Sequence, residues 1–260
     1  FNLESSAEMT LEVNPATATA RDLQDYAAFG FNRVNIGVQS FHDQQLAFLG
    51  RVHNGQQSLA AVEAAKKAGF NNIGLDLIYG LPEQSPAVWK NDLKQAMRLM
   101  PKHLACYMLS YEPHTPLYTD QQAGRIVPLS DILTAELFRM THDFLGVGGF
   151  DHYEISNFSK GPRWRSKHNQ KYWNFVPYIG FGPAAHSFTF PKRWWNHRQL
   201  DRYLQMLGQD SLPISEQEEL SEEQLMIEAL YLGLRQSDGL DLTFFRENFQ
   251  IDFKLYFHTA

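Results

Sequence analysis

The sequence has 260 residues, a formal net charge of −6 at pH 7, 43% hydrophobic and 20% charged residues, which is typical of a globular chain with a sizeable core. The acidic balance argues against a general nucleic-acid surface, and no apolar run is long enough to be a transmembrane segment. The single cysteine, Cys106, excludes an internal disulfide and favours a reducing compartment, so we expect a cytoplasmic protein. Residues 1–6 lack the basic and apolar segments of a signal peptide, so none is expected here. The sequence also lacks an initiator Met, so we expect a piece of a longer protein.

Short apolar runs alternate with helical patterns through the first half of the chain. Several of the helical patterns are followed by a glycine or proline, which ends a helix. The alternation predicts βαβ units and a parallel sheet. The predicted strands lie at residues 9–13, 33–38, 72–78 and 103–109, and the predicted helices at residues 18–29, 58–68 and 87–99.

The alternation ends near residue 130. Polar residues and Pro213 interrupt the later pattern, so we predict two domains, residues 1–208 and a smaller, mainly helical domain at residues 209–260. The elements predicted after residue 130 are helices at 132–145, 199–207, 225–234 and 244–257, a strand at 150–155, and an aromatic, loop-rich stretch to about residue 195.

Polar side chains recur at or near the ends of the four predicted strands. Asn14, Gln39 and Ser110 follow the first, second and fourth strands, and Asp76 lies within the third. In barrel-type α/β folds the carboxyl ends of the strands carry the active site. We therefore expect these four side chains to lie at one rim.

Six motifs occur together in this chain, and their combination is more specific than any one of them. They are residues 12–15 (EVNP), 37–40 (GVQS), 76–82 (DLIYGLP), 153–158 (YEISNF), 168–173 (HNQKYW) and 180–187 (GFGPAAHS). In this order the chain resembles radical S-adenosylmethionine (SAM) proteins related to oxygen-independent coproporphyrinogen III oxidase, and within them the haem-chaperone branch of the HemW type. The resemblance covers essentially the whole chain.

The resemblance implies an α/β fold: an incomplete radical SAM (β/α)6 partial barrel followed by a small C-terminal, mainly helical domain. The four predicted strands would correspond to strands three to six of the family barrel. An incomplete barrel exposes the edge of its first strand, whose unpaired backbone groups favour self-association. We therefore expect poor solubility or self-association, such as a homo-oligomer, unless the missing strands are present.

The resemblance also implies a SAM pocket at the strand rim. An arginine pairs with the SAM carboxylate, acidic side chains accept from its ribose hydroxyls or ammonium, and glutamine both donates and accepts. Read from the residues alone, Glu12 and Asp76 have an alternative role in ion pairs with Arg33, Arg51 or lysines. The residues that the resemblance assigns to SAM are Glu12, Gln39, Arg51 and Asp76, with Ser110 and His186 carried over from the oxidase branch.

The HNQKYW motif is linked in this family to haem binding. The resemblance assigns His168, Asn169, Tyr172 and Trp173 to haem, with His168 as the axial ligand of the iron. If the segment is helical, His168 and Tyr172 share a face. The basic residues Arg163, Arg165 and Lys167 suit the haem propionates. The alternative is a histidine that binds no iron and a Trp-Asn pair that anchors a loop.

The family's [4Fe–4S] cluster is held by three cysteine thiolates, and this sequence has one cysteine. Cys106 lies in the fourth predicted strand, so we interpret it as a buried structural thiol. The chain therefore has no cluster cysteines, and we expect that it alone does not cleave SAM reductively.

The function that the resemblance implies is a haem chaperone, which binds haem and SAM and delivers haem to acceptor proteins. The alternative enzyme is an oxygen-independent coproporphyrinogen III oxidase, which performs a radical oxidative decarboxylation in porphyrin biosynthesis. A third hypothesis is an interaction module without radical chemistry.

Overall fold

The computed structural model describes residues 3–257, which form two compact units. The first unit ends at Ser166 and the second begins at Lys167. Each unit is described by itself. The compact units divide after Ser166, which is not the position of the predicted domain boundary. The boundary between residues 208 and 209 stays a prediction.

The first unit alternates strands and helices, as the sequence predicts, and then adds a β-hairpin. Two short helices, α2 and α5, and the strand β6 were not predicted. The elements are β1 (Thr10–Val13), α1 (Ala20–Ala28), β2 (Arg33–Gln39), α2 (Asp43–Phe48), α3 (Gly55–Lys67), β3 (Asn72–Tyr79), α4 (Pro86–Arg98), β4 (His103–Met108), α5 (Pro116–Gln122), α6 (Asp131–Val147), β5 (Asp151–Glu154) and β6 (Asn157–Ser159).

These strands form one six-stranded sheet with the order β1-β2-β3-β4-β6-β5. Strands β1 to β4 are parallel, which confirms the predicted parallel sheet, and the β5–β6 hairpin joins β4 in antiparallel fashion. Within the described residues the sheet does not close into a barrel, because β1 and β5 are its two edges. The expected α/β partial barrel is confirmed in this form.

The two faces of the sheet differ in polarity. Successive side chains of a strand point to opposite faces, and Val34 and Val38 lie on a face that is fully buried. Helices α1, α3, α4 and α6 cover this face and complete the apolar core. The opposite face carries Glu12, Asn35 and Asp76. Parallel sheets are usually apolar on both faces, so the polar face indicates a site.

Capping side chains set the helix starts more sharply than the apolar pattern did. Thr19 and Asp22 form a reciprocal capping box at α1, so the helix begins at Ala20. Asn54 and Gln57 form the same box at α3, which adds a first turn that the sequence prediction omitted. Both boxes satisfy backbone N–H groups that lack partners within the helix.

The second unit combines short helices with an antiparallel sheet. The sheet was not predicted from the sequence, and the helical segment predicted at 244–257 contains two helices separated at Gln250, which has a left-handed backbone (φ 54°). The elements are α7 (Lys167–Trp173), β7 (His186–Thr189), β8 (Lys192–Asn196), α8 (Leu200–Gly208), β9 (Ile214–Glu219), α9 (Glu222–Leu234), α10 (Leu242–Phe249) and α11 (Phe253–Tyr256).

Strands β7, β8 and β9 form this sheet in sequential order. A separate apolar cluster, which includes Phe188, Leu225 and Phe245, joins β7 to helices α9 and α10. The unit therefore has a core of its own. None of the helices between residues 3 and 257 combines the length and apolarity that crossing a bilayer requires.

Candidate functional site

The polar face of the first unit opens into a depression at the carboxyl ends of β2, β3 and β4. Its volume is about 540 Å³, and it brings together four predicted SAM residues, Gln39, Arg51, Asp76 and Ser110. Apolar walls come from residues such as Ile78 and Leu117. The expectation that the strand ends deliver polar groups to one rim is therefore met for Gln39, Asp76 and Ser110, whereas Asn14 is not among the residues that line the depression.

Gln39 is turned toward the rim by an irregularity at the end of β2. The register between β2 and β3 shifts between Ile36 and Gln39, and Gln39 has a left-handed backbone (φ 66°) that non-glycine residues rarely adopt. A methyl group on Gly37 would lie 3.0 Å from Gln39 Nε2, 3.2 Å from Asn14 Oδ1 and 3.6 Å from Arg51 Nη2. Gly37 thus leaves room for three polar side chains to converge.

The loop after Gln39 is anchored by a buried carboxylate of α4. Asp92 Oδ1 accepts from the Phe41 backbone N–H at 2.8 Å, and Asp92 Oδ2 lies 2.9 Å from Ser40 Oγ. Both Ser40 and Asp92 are fully buried. This anchor holds the chain immediately beyond Gln39 and so fixes the turn that presents its amide.

Asp76 carries the carboxylate at the centre of the polar face. Its Oδ2 accepts from Asn35 Nδ2 at 2.7 Å. Burial raises the pKa of Asp76 to about 6, and the nearby charge of Glu12 adds to this rise, while Asn35, Arg33 and Arg51 oppose it. The carboxyl group therefore titrates near neutral pH, which is common at functional sites.

Asn35 is a site residue that the sequence reasoning missed. Its Oδ1 is buried without a hydrogen-bond partner among the described residues, and a Cβ on Gly74 would collide with this atom. Buried polar atoms normally have partners, so an unsatisfied acceptor here indicates room for a donor from a ligand or water. The polar Asn between the apolar residues Val34 and Ile36 was the available signal.

The alternative role of the acidic residues in ion pairs is not seen. Across residues 3–257, neither Glu12 nor Asp76 forms an ion pair, and Glu12 is exposed at the strand β1 edge of the polar face. Arg51 is half-buried at the depression with its guanidinium near Gln39. The polar side chains of the depression therefore fit SAM. The arginine suits the carboxylate of SAM, and the acidic side chains can accept from its hydroxyl and ammonium groups. The assignment of these residues to SAM stays a prediction.

His186 lies in the second unit, at the start of β7. Its ring is exposed and stacks on Trp195 with a centroid distance of 5.5 Å. The structure therefore gives His186 a surface position within its own unit, and its assignment to the SAM pocket stays a prediction.

The HNQKYW motif lies in helix α7, so the condition under which His168 and Tyr172 share a face is met. His168 and Tyr172 are both exposed and lie on one face, with their rings edge-to-face at a centroid distance of 4.9 Å. Tyr172 makes a second edge-to-face contact with Tyr178 at 4.6 Å. An exposed imidazole beside two aromatic rings fits an axial ligand for a flat macrocycle.

The other two residues assigned to haem are less exposed. Asn169 and Trp173 are half-buried, and Trp173 lines a cleft of about 240 Å³ with residues of α9 and α10. Upstream, Arg163 stacks on Trp164 and Arg165 lies over the Tyr153 ring at 5.2 Å. The structure gives these two arginines aromatic contacts within the first unit, and the roles of all four motif residues in haem binding stay predictions.

Cys106 does not fit the family's iron–sulfur cluster. Its side chain is 2% exposed and lies in the apolar core under the helices, which matches its interpretation as a structural thiol. Burial raises the pKa of this thiol far above its usual range, which disfavours the thiolate that a metal requires. Among the described residues there is no cluster of three His, Cys, Asp or Glu side chains suited to a metal ion.

Two protein-family models match the chain. The radical SAM superfamily model matches residues 3–96, which include β1 to β3 and most of α4, and the HemN C-terminal domain model matches residues 220–260. The first match covers the motifs around Glu12, Gln39 and Asp76. The two matches lie in the same order as the two predicted domains.

Curated relatives match over most of the chain. A protein named heme chaperone HemW from Lactococcus lactis is 35% identical over 98% of this chain and 67% of its own length. The protein of the same name from Synechocystis is 38% identical over 92% of this chain and 58% of its own length. The chain thus spans about half to two thirds of the length of the curated relatives it matches.

A solved structure shares the fold. The coproporphyrinogen III oxidase HemN from Escherichia coli superposes with a TM-score of 0.79 over 99% of this chain and 62% of its own chain. Its sequence identity is 22%. This likeness shows a HemN-like α/β fold and does not extend to the reaction.

Proposed function

The chain belongs to the HemW family within the radical SAM superfamily, and from this premise we propose that it is the haem-binding and SAM-binding part of a haem chaperone. The names of the relatives support haem as the cargo. Delivery of haem to acceptor proteins, in a reducing compartment such as the cytoplasm, belongs to the same proposal.

The observation that carries the haem part is the geometry of α7. The helix presents His168 to solvent with Tyr172 against its ring. An exposed imidazole can reach an iron atom without local unfolding, and a neighbouring ring can pack on the macrocycle. Haem would supply an iron atom that accepts an axial ligand. His168 would bind this iron, and Tyr172 would orient the plane of the porphyrin.

The SAM part rests on the polar depression of the first unit. Arg51 would bind the carboxylate of SAM, Gln39 its polar edge, and Asp76 a ribose hydroxyl or the ammonium. SAM would supply its sulfonium group, and these three residues would bind and orient the SAM molecule. The family also uses a [4Fe–4S] cluster, for which the residues of this chain do not provide the thiolates.

The haem proposal is tested by titrating the purified chain with haem and recording the absorbance spectrum. His168→Ala should remove the signature of an imidazole-bound iron and weaken binding about tenfold or more. His197→Ala is the matched control, because it removes another histidine of the second unit and should leave the spectrum unchanged. Identical spectra for the wild type and His168→Ala would overturn the ligand assignment.

The SAM proposal is tested separately by equilibrium dialysis with labelled SAM. Arg51→Gln removes the guanidinium and should weaken binding about tenfold. The control is Arg125→Gln, because Arg125 is exposed and pairs with Asp120 away from the depression. Equal affinities for both variants and the wild type would reject Arg51 as a SAM ligand.

A further inference from the structure

A second cleft in the C-terminal unit borders the histidine-bearing helix. It lies among α7, β7, β8 and α9 and has a volume of about 250 Å³. Its aromatic lining comes from Tyr172, Phe175, Tyr178, Phe188 and Tyr231. The HNQKYW motif does not include the walls that β8 and α9 contribute to this cleft.

The cleft is continuous with the surface of His168. Tyr172 contacts the His168 ring on one side and the Tyr178 ring on the other, in both cases edge-to-face. Tyr178 is fixed in place because its backbone exchanges two hydrogen bonds with Phe188, at 3.0 and 2.9 Å. The backbone that carries Tyr178 is therefore paired with β7, and the aromatic wall begins within one helical turn of the imidazole.

The far side of the cleft combines an exposed aromatic ring with a partly buried ion pair. Tyr231 of α9 is 74% exposed, so its ring lines the mouth rather than the core. Arg193 of β8 pairs with Glu228 of α9 at 2.7 Å and with Glu218 at 3.4 Å. An incoming carboxylate can replace one of these acidic partners, because arginine pairs with carboxylates in a fork geometry. Lys171 adds a second cation to the rim.

We propose, on the basis of the haem function proposed above, that this cleft receives one edge of the porphyrin whose iron is bound by His168. Tyr178 and Tyr231 form its aromatic walls, and a propionate carboxylate takes the place of Glu228 on Arg193. The cleft is smaller than the roughly 300–1,000 Å³ of sites that enclose a drug-sized ligand, so it holds an edge and leaves the rest of the macrocycle outside.

The aromatic wall is tested by haem titration of Tyr231→Ala and Tyr231→Phe. Loss of the ring should weaken haem binding about tenfold, whereas phenylalanine keeps the ring and should stay within about twofold of the wild type. The imidazole-iron spectrum should persist in both variants. Tyr256→Ala removes another exposed tyrosine of the same unit, outside the cleft, and should bind like the wild type.

The charge exchange is tested by the opposite effects of two neutral variants. Glu228→Gln removes the acidic competitor and should tighten haem binding about three- to tenfold, while Arg193→Gln should weaken it about tenfold. A purely structural ion pair would make both variants weaker or leave both unchanged. Circular dichroism of each variant establishes that the second unit is folded before the titration is read.

The outcomes separate this proposal from the haem function itself. If His168→Ala abolishes the iron signature but Tyr231→Ala and Glu228→Gln bind like the wild type, haem binds at His168 without entering the cleft, and the inference is wrong. If the wild type shows no imidazole-bound haem at all, the proposed function fails first.

Discussion

The two candidate sites differ in how the fold builds them. The candidate SAM site rests on three neighbouring strands, whose register places Asn35 and Asp76 on one face of the sheet. The candidate haem site rests on a seven-residue helix, whose spacing places His168 and Tyr172 side by side on its exposed face. A site set by strand register depends on the whole sheet, while a site set by helical spacing depends on a single turn. Substitutions should therefore affect stability strongly at the first site and weakly at the second.

The largest expected effect is that of Gly74→Ala in β3. The new Cβ would collide with Asn35 Oδ1 and displace the side chain that donates to Asp76. Strain and the lost hydrogen bond should together lower the free energy of unfolding by about 3 kcal/mol. Urea unfolding measures this, and Gly146→Ala in α6, where a Cβ meets no atom within 4 Å, is the control and should be neutral or stabilising.

Asp76→Asn should have the next largest effect, and in the opposite direction. The folded-state pKa of Asp76 is raised to about 6 from 3.8, so the folded chain retains a proton that the unfolded chain releases between these values. Stability from this group is thus lost as the pH rises from about 4 to 6. The variant should gain about 1–3 kcal/mol at pH 8 and nothing at pH 3.5.

Thermal unfolding of this variant across pH 3.5–8 tests the sign. An equal gain at every pH would show that folding does not raise the pKa of Asp76 above its unfolded value. The same variant should bind SAM more weakly than the wild type, so that stability and ligand affinity change in opposite directions.

Tyr153→Phe sharpens the comparison at the border of the first unit. The Tyr153 hydroxyl lies 2.7 Å from His103 Nε2 and accepts from the Ser166 backbone N–H at 3.2 Å. Removing it takes the hydroxyl away from both of these buried groups and should cost about 1–3 kcal/mol. Tyr256→Phe, at an exposed tyrosine, should cost nothing measurable in the same urea titration.

His168→Ala should have the smallest effect on stability. The side chain is exposed on α7, so the free energy of unfolding should change by no more than about 0.5 kcal/mol. Differential scanning calorimetry checks this. A loss of several degrees in Tm would mean that the second site is as tightly integrated into its unit as the first, and the contrast between the two sites would disappear.

The sequence predicted the parallel part of the sheet well, because its local signals agree with its tertiary structure. The runs around Val34 and Leu75 are apolar where helices cover them, and Gly30 and Gly69 end the preceding helices. The rim residues Gln39 and Asp76 could also be predicted from the sequence, because parallel strands deliver their carboxyl ends to one edge of the sheet.

The β7–β9 sheet was missed because its evidence is not local. Strand β9 reads as an acidic loop, with Glu218 and Glu219 exposed. Its partners Arg193 and Lys192 on β8 supply the complementary charge, at 3.4 and 3.5 Å. Only the pairing of two strands that are distant in sequence reveals this complementarity. Asn35 was missed for a related reason, because its importance lies in a contact with the neighbouring strand.

Because Cys106 is buried, the rate at which its thiol is labelled measures how often the first unit opens. A maleimide reacts with a thiolate in solvent, and this sulfur is shielded by the helices packed on β4. Since the sequence has no other thiol, the labelling rate reports how often the first unit exposes its interior. Followed with and without SAM, that rate reports ligand binding at the opposite face of the same sheet.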